Sequence, residues 1–123
     1  MNQGDIPLPR AHHSACAIKG DRLFIFGGYY SSKQRLNDAY ILTMSNMTWK
    51  RIKDQPIIKE PMNEVSEIGA PSPRANHSAC YLNGKVYIFG GHGGTNYQRK
   101  TFNDLYSFDI EDQKWEQIEY ESM

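Results

Sequence analysis

No apolar run in the 123-residue chain approaches the ~18 residues of a membrane-spanning helix, and its first residues carry no apolar signal core. Neither sign of charge is in excess: Lys plus Arg and Asp plus Glu come to 14 each. A zero balance lacks the basic footprint of a general nucleic-acid binder. Cysteine is scarce, with only Cys16 and Cys80. Nor is the chain depleted enough in apolar residues to stay unfolded, with 39% hydrophobic against 23% charged. The expectation is one globular domain, cytoplasmic or otherwise intracellular, with neither membrane nor nucleic acid as partner.

What the chain does have is a repeated centre. Leu23-Phe24-Ile25-Phe26 is four apolar residues without polar alternation, ended by Gly27-Gly28, and Val86-Tyr87-Ile88-Phe89 with Gly90-Gly91 copies it. Such a run is too short for a buried helix and is rich in strand formers, so it reads as a strand covered on both faces. The glycine pair reads as a sharp exit at a crowded place, because glycine takes positive φ and admits a second backbone.

The copying extends outward. Pro9-Arg10-Ala11-His12-His13-Ser14-Ala15-Cys16 returns as Pro73-Arg74-Ala75-Asn76-His77-Ser78-Ala79-Cys80, with one difference, His12 against Asn76. Asn37-Asp38-Ala39-Tyr40 is answered by Asn103-Asp104-Leu105-Tyr106, and Trp49 and Ile52 by Trp115 and Ile118. The offset is 64 at the prolines, 63 at the glycines and 66 at the tryptophans, so elements are kept while loops vary.

An Arg-x-x-His-Ser strand, a strand ending in Gly-Gly, an Asn-Asp-x-Tyr strand and a Trp strand, in that order, resemble the kelch repeat. Each such repeat forms one four-stranded blade of a β-propeller. The resemblance implies an all-β fold of two antiparallel blades, at about 9–52 and 73–118, from an incomplete propeller. Kelch repeats run to about 50 residues, and the first copy is stretched by an insertion at 53–72. That insertion carries Pro56, Pro61 and Pro71 with apolar Ile57, Ile58, Met62, Val65 and Ile68, and part of it is expected to pack across a blade.

Within each blade the strands read as 13–18, the apolar run, 39–43 and the Trp strand, with a second set ending in 105–109 and Trp115. The Asn83-Gly84 pair is a strong hairpin signal. Strands containing Lys50, Arg51, Glu116 and Gln117 suit an outer edge, where charge discourages pairing. Residues 1–8 read as a loose lead-in, and 29–36 and 92–102 as loops.

A four-stranded meander puts both of those loops and 53–72 on one face, the top, and the short turns on the other. Loops on a rigid scaffold are where binding residues gather. The top loops are aromatic and basic: Tyr29, Tyr30, Lys33 and Arg35 in one, His92, Tyr97, Arg99 and Lys100 in the other. Tyr and Arg anchor protein interfaces, and Arg holds carboxylate or phosphate bidentately. An acidic or phosphorylated peptide is the expected ligand.

Residues recurring once per repeat read as structural: Arg10, His13, Gly27, Gly28, Asp38 and Trp49, with Arg74, His77, Gly90, Gly91, Asp104 and Trp115. Buried charges among them must be paired. The cysteines occupy equivalent places in neighbouring blades. Sheets stack ~10 Å apart and a disulfide needs Cα atoms within ~7 Å, so both read as small buried thiols. His12-x-x-x-Cys16 would spread ~13 Å along a strand and is no zinc site. Gly90-Gly91-His92-Gly93-Gly94 has no following helix to hold a phosphate. No cofactor, metal or catalytic residue is expected.

The reading is a protein-interaction module, not an enzyme. The alternative is part of an enzyme propeller with an axial small-molecule or metal site, as in the kelch-like sugar oxidases and sialic acid isomerases. Two blades also leave two outer faces uncovered, so either the chain is a fragment of a longer propeller or copies complete a ring head to tail, with a trimer of six blades the expected form.

Overall fold

The computed structural model describes residues 4–53, 69–94 and 99–120; Tyr97 and most of the 53–72 insertion, with its apolar residues from Ile57 to Ile68, lie outside them. Every described element is a strand. The first sheet is β1 (Ser14–Ile18), β2 (Arg22–Ser31), β3 (Gln34–Thr43) and β4 (Thr48–Arg51), antiparallel and in chain order. The second has β5 (Ser78–Leu82), β6 (Lys85–Phe89), β9 (Leu105–Asp109) and β10 (Lys114–Ile118) in the same meander order. Between β6 and β9 stands a small hairpin, β7 (His92–Gly94) with β8 (Arg99–Thr101). These are the two four-stranded antiparallel blades that the repeat resemblance implies.

The blades stack through one apolar layer. From blade one come Ile18, Phe24, Phe26, Ala39 and Ile41; from blade two come Val86, Ile88, Phe108 and Trp115. The register explains the split. Phe24 pairs with Cys16 and Ile41, so these three share a face, while Ile25 and Tyr40 point the other way. In blade two, Val86 pairs with Phe108, which pairs with Trp115. Blade two thus presents the repeat equivalent of the Leu23, Leu42 and Trp49 face to blade one's Phe24 and Phe26 face. The stacking is head to tail, with one direction from blade to blade.

That direction decides which faces remain open. Leu82 and Phe89 are the repeat equivalents of buried Ile18 and Phe26, yet they are 58% and 46% exposed. On the far side of blade one, Ile25, Tyr40 and Leu42 are buried. Of the two expected open faces, that of blade two is exposed at Leu82 and Phe89, whereas that of blade one is covered at Ile25, Tyr40 and Leu42. The expectation that both cysteines are buried thiols is corrected: Cys80 sits on the open face and is exposed, and Cys16 is half-buried. Burial, with Cys80 nearby, pushes the Cys16 thiol up to about 11.

Two further readings change. Segment 29–36 is not a loop, because β2 and β3 run through it and close at a tight turn after Ser31. In blade one the glycines bend the strand instead of ending it, with φ of 69° and 102° at Gly27 and Gly28 and a β2–β3 register shift between Phe26 and Gly28, whereas in blade two β6 ends at Phe89, directly before Gly90-Gly91. The lead-in is also tied down. Gly4 bridges to Trp49 in parallel, the Asp5 N–H donates to the Trp49 carbonyl (3.0 Å), and the Arg51 N–H donates to Asp5 Oδ2 (3.1 Å). Trp49 is consequently half-buried on an occupied edge beside Tyr40, not between the blades.

Candidate binding site on the top face

The glycine pairs create the site by letting the repeats touch backbone to backbone. The Gly28 N–H donates to the Arg74 carbonyl (2.9 Å), the Arg74 N–H to the Leu36 carbonyl (3.1 Å), and the Asn76 N–H to the His12 carbonyl (3.0 Å). A Cβ on Gly28 would lie 2.7 Å from the Ala11 carbonyl oxygen; on Gly91 it would lie 2.8 Å from that of Ala75. His12 and Asn76 take matching left-handed conformations, with φ of 57° and 60°. That turn lifts their side chains beside the β2–β3 and β7–β8 hairpins.

Beneath the site, each repeat arginine holds its aspartate as a fork. Arg10 Nη1 and Nη2 reach Asp38 Oδ1 and Oδ2 at 2.6 and 3.1 Å, and Nη1 also donates to the Gly27 carbonyl (3.2 Å). Arg74 repeats this on Asp104 at 2.5 and 3.0 Å and on the Gly90 carbonyl at 3.0 Å. The Arg74 guanidinium lies 4.0 Å from the Phe102 ring centre. His77 locks the blades together: its Nε2 reaches Ser14 Oγ (2.7 Å) and the Phe26 carbonyl (3.0 Å). Its Nδ1 is buried without a partner, so a second ring proton would go unsatisfied. Burial first, then Arg74 and His13, bring His77 down to about 4, against the opposing hydrogen bond to Phe26. His13 is exposed, and its pKa is lowered by partial burial and by Arg10.

Above this frame lies an open cavity of about 640 Å³ lined by Pro9, Arg10, Ala11, His12, Tyr29, Tyr30, Ser31, Ser32, Arg35 and Arg99. Of the top-loop residues read from the sequence, Tyr29, Tyr30, Arg35 and Arg99 line it. His92 is not part of the lining but contacts two of its residues: Nε2 lies 3.3 Å from the Tyr29 hydroxyl and 2.7 Å from the Asn76 carboxamide, and Nδ1 lies 3.4 Å from Arg35 Nη2. The Arg35 guanidinium also sits 4.8 Å from the centre of the Tyr29 ring. Lys33 and Lys100 are exposed on the rims of their hairpins and do not line the cavity.

Two members were not picked out from sequence, His12 and Asn76. A signal existed: theirs is the one position at which the two eight-residue blocks differ. His12 packs edge-on to Tyr29 (5.4 Å), whereas Asn76 bonds His92. The exchange keeps a polar group against whichever residue follows the glycine pair.

Chemically the cavity offers cations, hydroxyls and aromatic faces. The carboxylates of Asp38 and Asp104 are already held by Arg10 and Arg74. Among the described residues no group of three or more His, Cys, Asp or Glu is placed to hold a metal ion. No described helix is long and apolar enough to cross a membrane.

Comparison with known proteins matches residues 1–123 to the family model of the KLHDC2/KLHL20/DRC7 kelch-repeats domain. Adagio protein 3 of Arabidopsis thaliana is 30% identical over 121 residues, covering 94% of this chain and 17% of that protein. Kelch domain-containing protein 2 of Bos taurus is 34% identical over 90 residues, covering 72% of this chain and 19% of its own length. The chain therefore spans less than a fifth of these relatives. Among solved structures, that of YjhT superposes with a TM-score of 0.62 at 20% identity, over 91% of this chain and 28% of its own, a likeness of fold alone. Two stacked blades, the paired repeat landmarks and the full-length family match agree: the chain belongs to the kelch-repeat family.

Proposed function

We propose that this chain is a protein-recognition unit that takes an acidic or phosphorylated peptide segment of a partner protein into the top-face cavity. The observation that carries the reading is the convergence of Arg35 and Arg99, from separate blades, on one cavity walled by Tyr29 and Tyr30. Guanidinium groups hold carboxylate or phosphate with paired hydrogen bonds, and tyrosines supply rigid contact area. Kelch repeats commonly serve as protein-interaction modules, and nothing at this cavity calls for chemistry beyond binding.

The test uses the two lining residues whose loss leaves the frame intact. Tyr30 and Arg99 are exposed, whereas Arg35 is half-buried and bonded to Tyr29 and His92. Tyr30→Ala with Arg99→Glu should reduce partner capture at least tenfold while moving the melting temperature little, since exposed charges contribute about 0–1 kcal/mol to stability. Capture of the same partners by the double variant, in equal amounts, would rule the cavity out as the site.

A further inference from the structure

Among the described residues, His92 faces two guanidiniums, a second imidazole, one hydroxyl and one carboxamide, and no carboxylate. Arg35 approaches from β3, Arg99 from β8 and His12 from the turn before β1, while Tyr29 and Asn76 meet Nε2. A guanidinium can only donate. Its contact at 3.4 Å therefore requires Nδ1 to be the bare, accepting nitrogen, and Nε2 carries the ring proton. The one Nε2 proton is shared: the Asn76 carboxamide, whose nitrogen stands 2.7 Å from Nε2, accepts it by exchanging its two like-shaped ends to present Oδ1, and the more distant Tyr29 hydroxyl at 3.3 Å is the secondary acceptor.

We propose that the top-face cavity takes up a proton together with its anionic ligand, and that His92 is the group that receives it. The proposal rests on the acidic-peptide reading above and names its regulation. In the free protein a proton on Nδ1 would face the Arg35 guanidinium directly, with Arg99 and His12 adding to the repulsion. Burial, then Arg35, Arg99 and His12, hold the His92 pKa below its ordinary value. A carboxylate or phosphoryl group seated between Arg35 and Arg99 removes that penalty. Nδ1 then takes a proton from solvent, its contact with Arg35 breaks, and the freed guanidinium turns its Nη2 to the ligand. The bound anion raises the pKa of His92, so affinity rises as pH falls through the window between the free and bound values. Above that window binding continues without the proton and is weaker.

The experiment follows the His92 ring by NMR as pH is varied, in the free protein and in excess sulfate, a dianion throughout this range. A short glutamate peptide serves as the carboxylate probe. The free midpoint should lie below about 6.5, and sulfate should raise it by about half a unit or more, meaning about threefold tighter binding to the protonated form. A larger rise with sulfate than with the glutamate peptide assigns the site to phosphoryl groups, and the reverse order assigns it to carboxylates. Arg35→Gln should raise the midpoint of the free protein, which a purely structural imidazole would not show. An unmoved His92 midpoint overturns the proposal. A partner peptide that binds equally at low and high pH also removes it while leaving the recognition role intact. A sulfate-raised midpoint without any acidic-peptide partner leaves the proton-linked site standing and removes that role.

Discussion

Trp115→Ala is expected to destabilise the chain by about 3–5 kcal/mol, the range for emptying a buried aromatic site. The indole is 6% exposed and fills the space between the blades. Its centroid lies 5.2 Å from Phe26 and 6.4 Å from Phe24 of blade one, and 4.9 Å from Phe108 of its own blade. Removing it breaks three ring contacts and opens a void that β-sheet backbones on both sides cannot collapse to fill. At about 4 °C per kcal/mol for a domain of this size, the melting temperature should fall by about 12–20 °C. Trp49→Ala, at a half-buried site on the sheet edge, should cost clearly less. Equal losses at the two positions in calorimetry would mean that the inter-blade cluster is not what holds the blades together.

Arg74→Met should cost a similar amount for a different reason. Arg74 is fully buried and its fork satisfies Asp104, whose side chain is only 20% exposed. Removing one partner of a buried pair strands the other charge, at about 3–5 kcal/mol, whereas removing both is far less harmful. Asp104→Asn added to Arg74→Met should therefore recover part of the loss in urea unfolding. If the double variant is no more stable than the single one, the cost lies in the arginine's bonds to the Gly90 and Ser72 carbonyls and in its packing on Phe102.

The two repeats were legible because a blade is built from local signals. The apolar run, the glycine pair, Asn83-Gly84 and the charged last strand each carry their own steric or burial reason, and each recurs in order. What was not legible depends on neighbours. The reach of β2 and β3 to Ser31 and Gln34 was hidden because a glycine pair can end a strand or bend it, and only pairing across the register shift decides. The Gly4 bridge to Trp49 was hidden because a lead-in with Pro7 and Pro9 has no periodicity, and its order comes from a free strand edge. The uneven exposure of Phe89 and Phe26 is invisible in the repeat itself, since the two residues are equivalent until one of them acquires a neighbour.

At the candidate site, composition pointed to the right hairpins but not to the arrangement within them. Tyr29, Arg35 and His92 read as parallel members of two loops; in the structure they are bonded to one another across the blade boundary. Lys33 and Lys100 have the same charge as Arg35 and Arg99 but do not line the cavity: Lys100 adjoins Arg99 on β8 and so falls on the opposite side, and Lys33 lies in the turn between β2 and β3. His12 and Asn76 joined the site through a backbone turn that a side-chain inventory does not weigh.

The central claim is that a partner is met on the top face, and site-directed photo-crosslinking tests it most directly. A photoreactive residue at Tyr30 reports the top cavity, and one at Asn83, in the β5–β6 turn, reports the opposite face. Crosslinks to a partner protein from position 30, absent from position 83 and suppressed by an acidic competitor peptide, are the predicted result. Crosslinks that form from position 83 and not from position 30 would place recognition on the short turns and contradict the account.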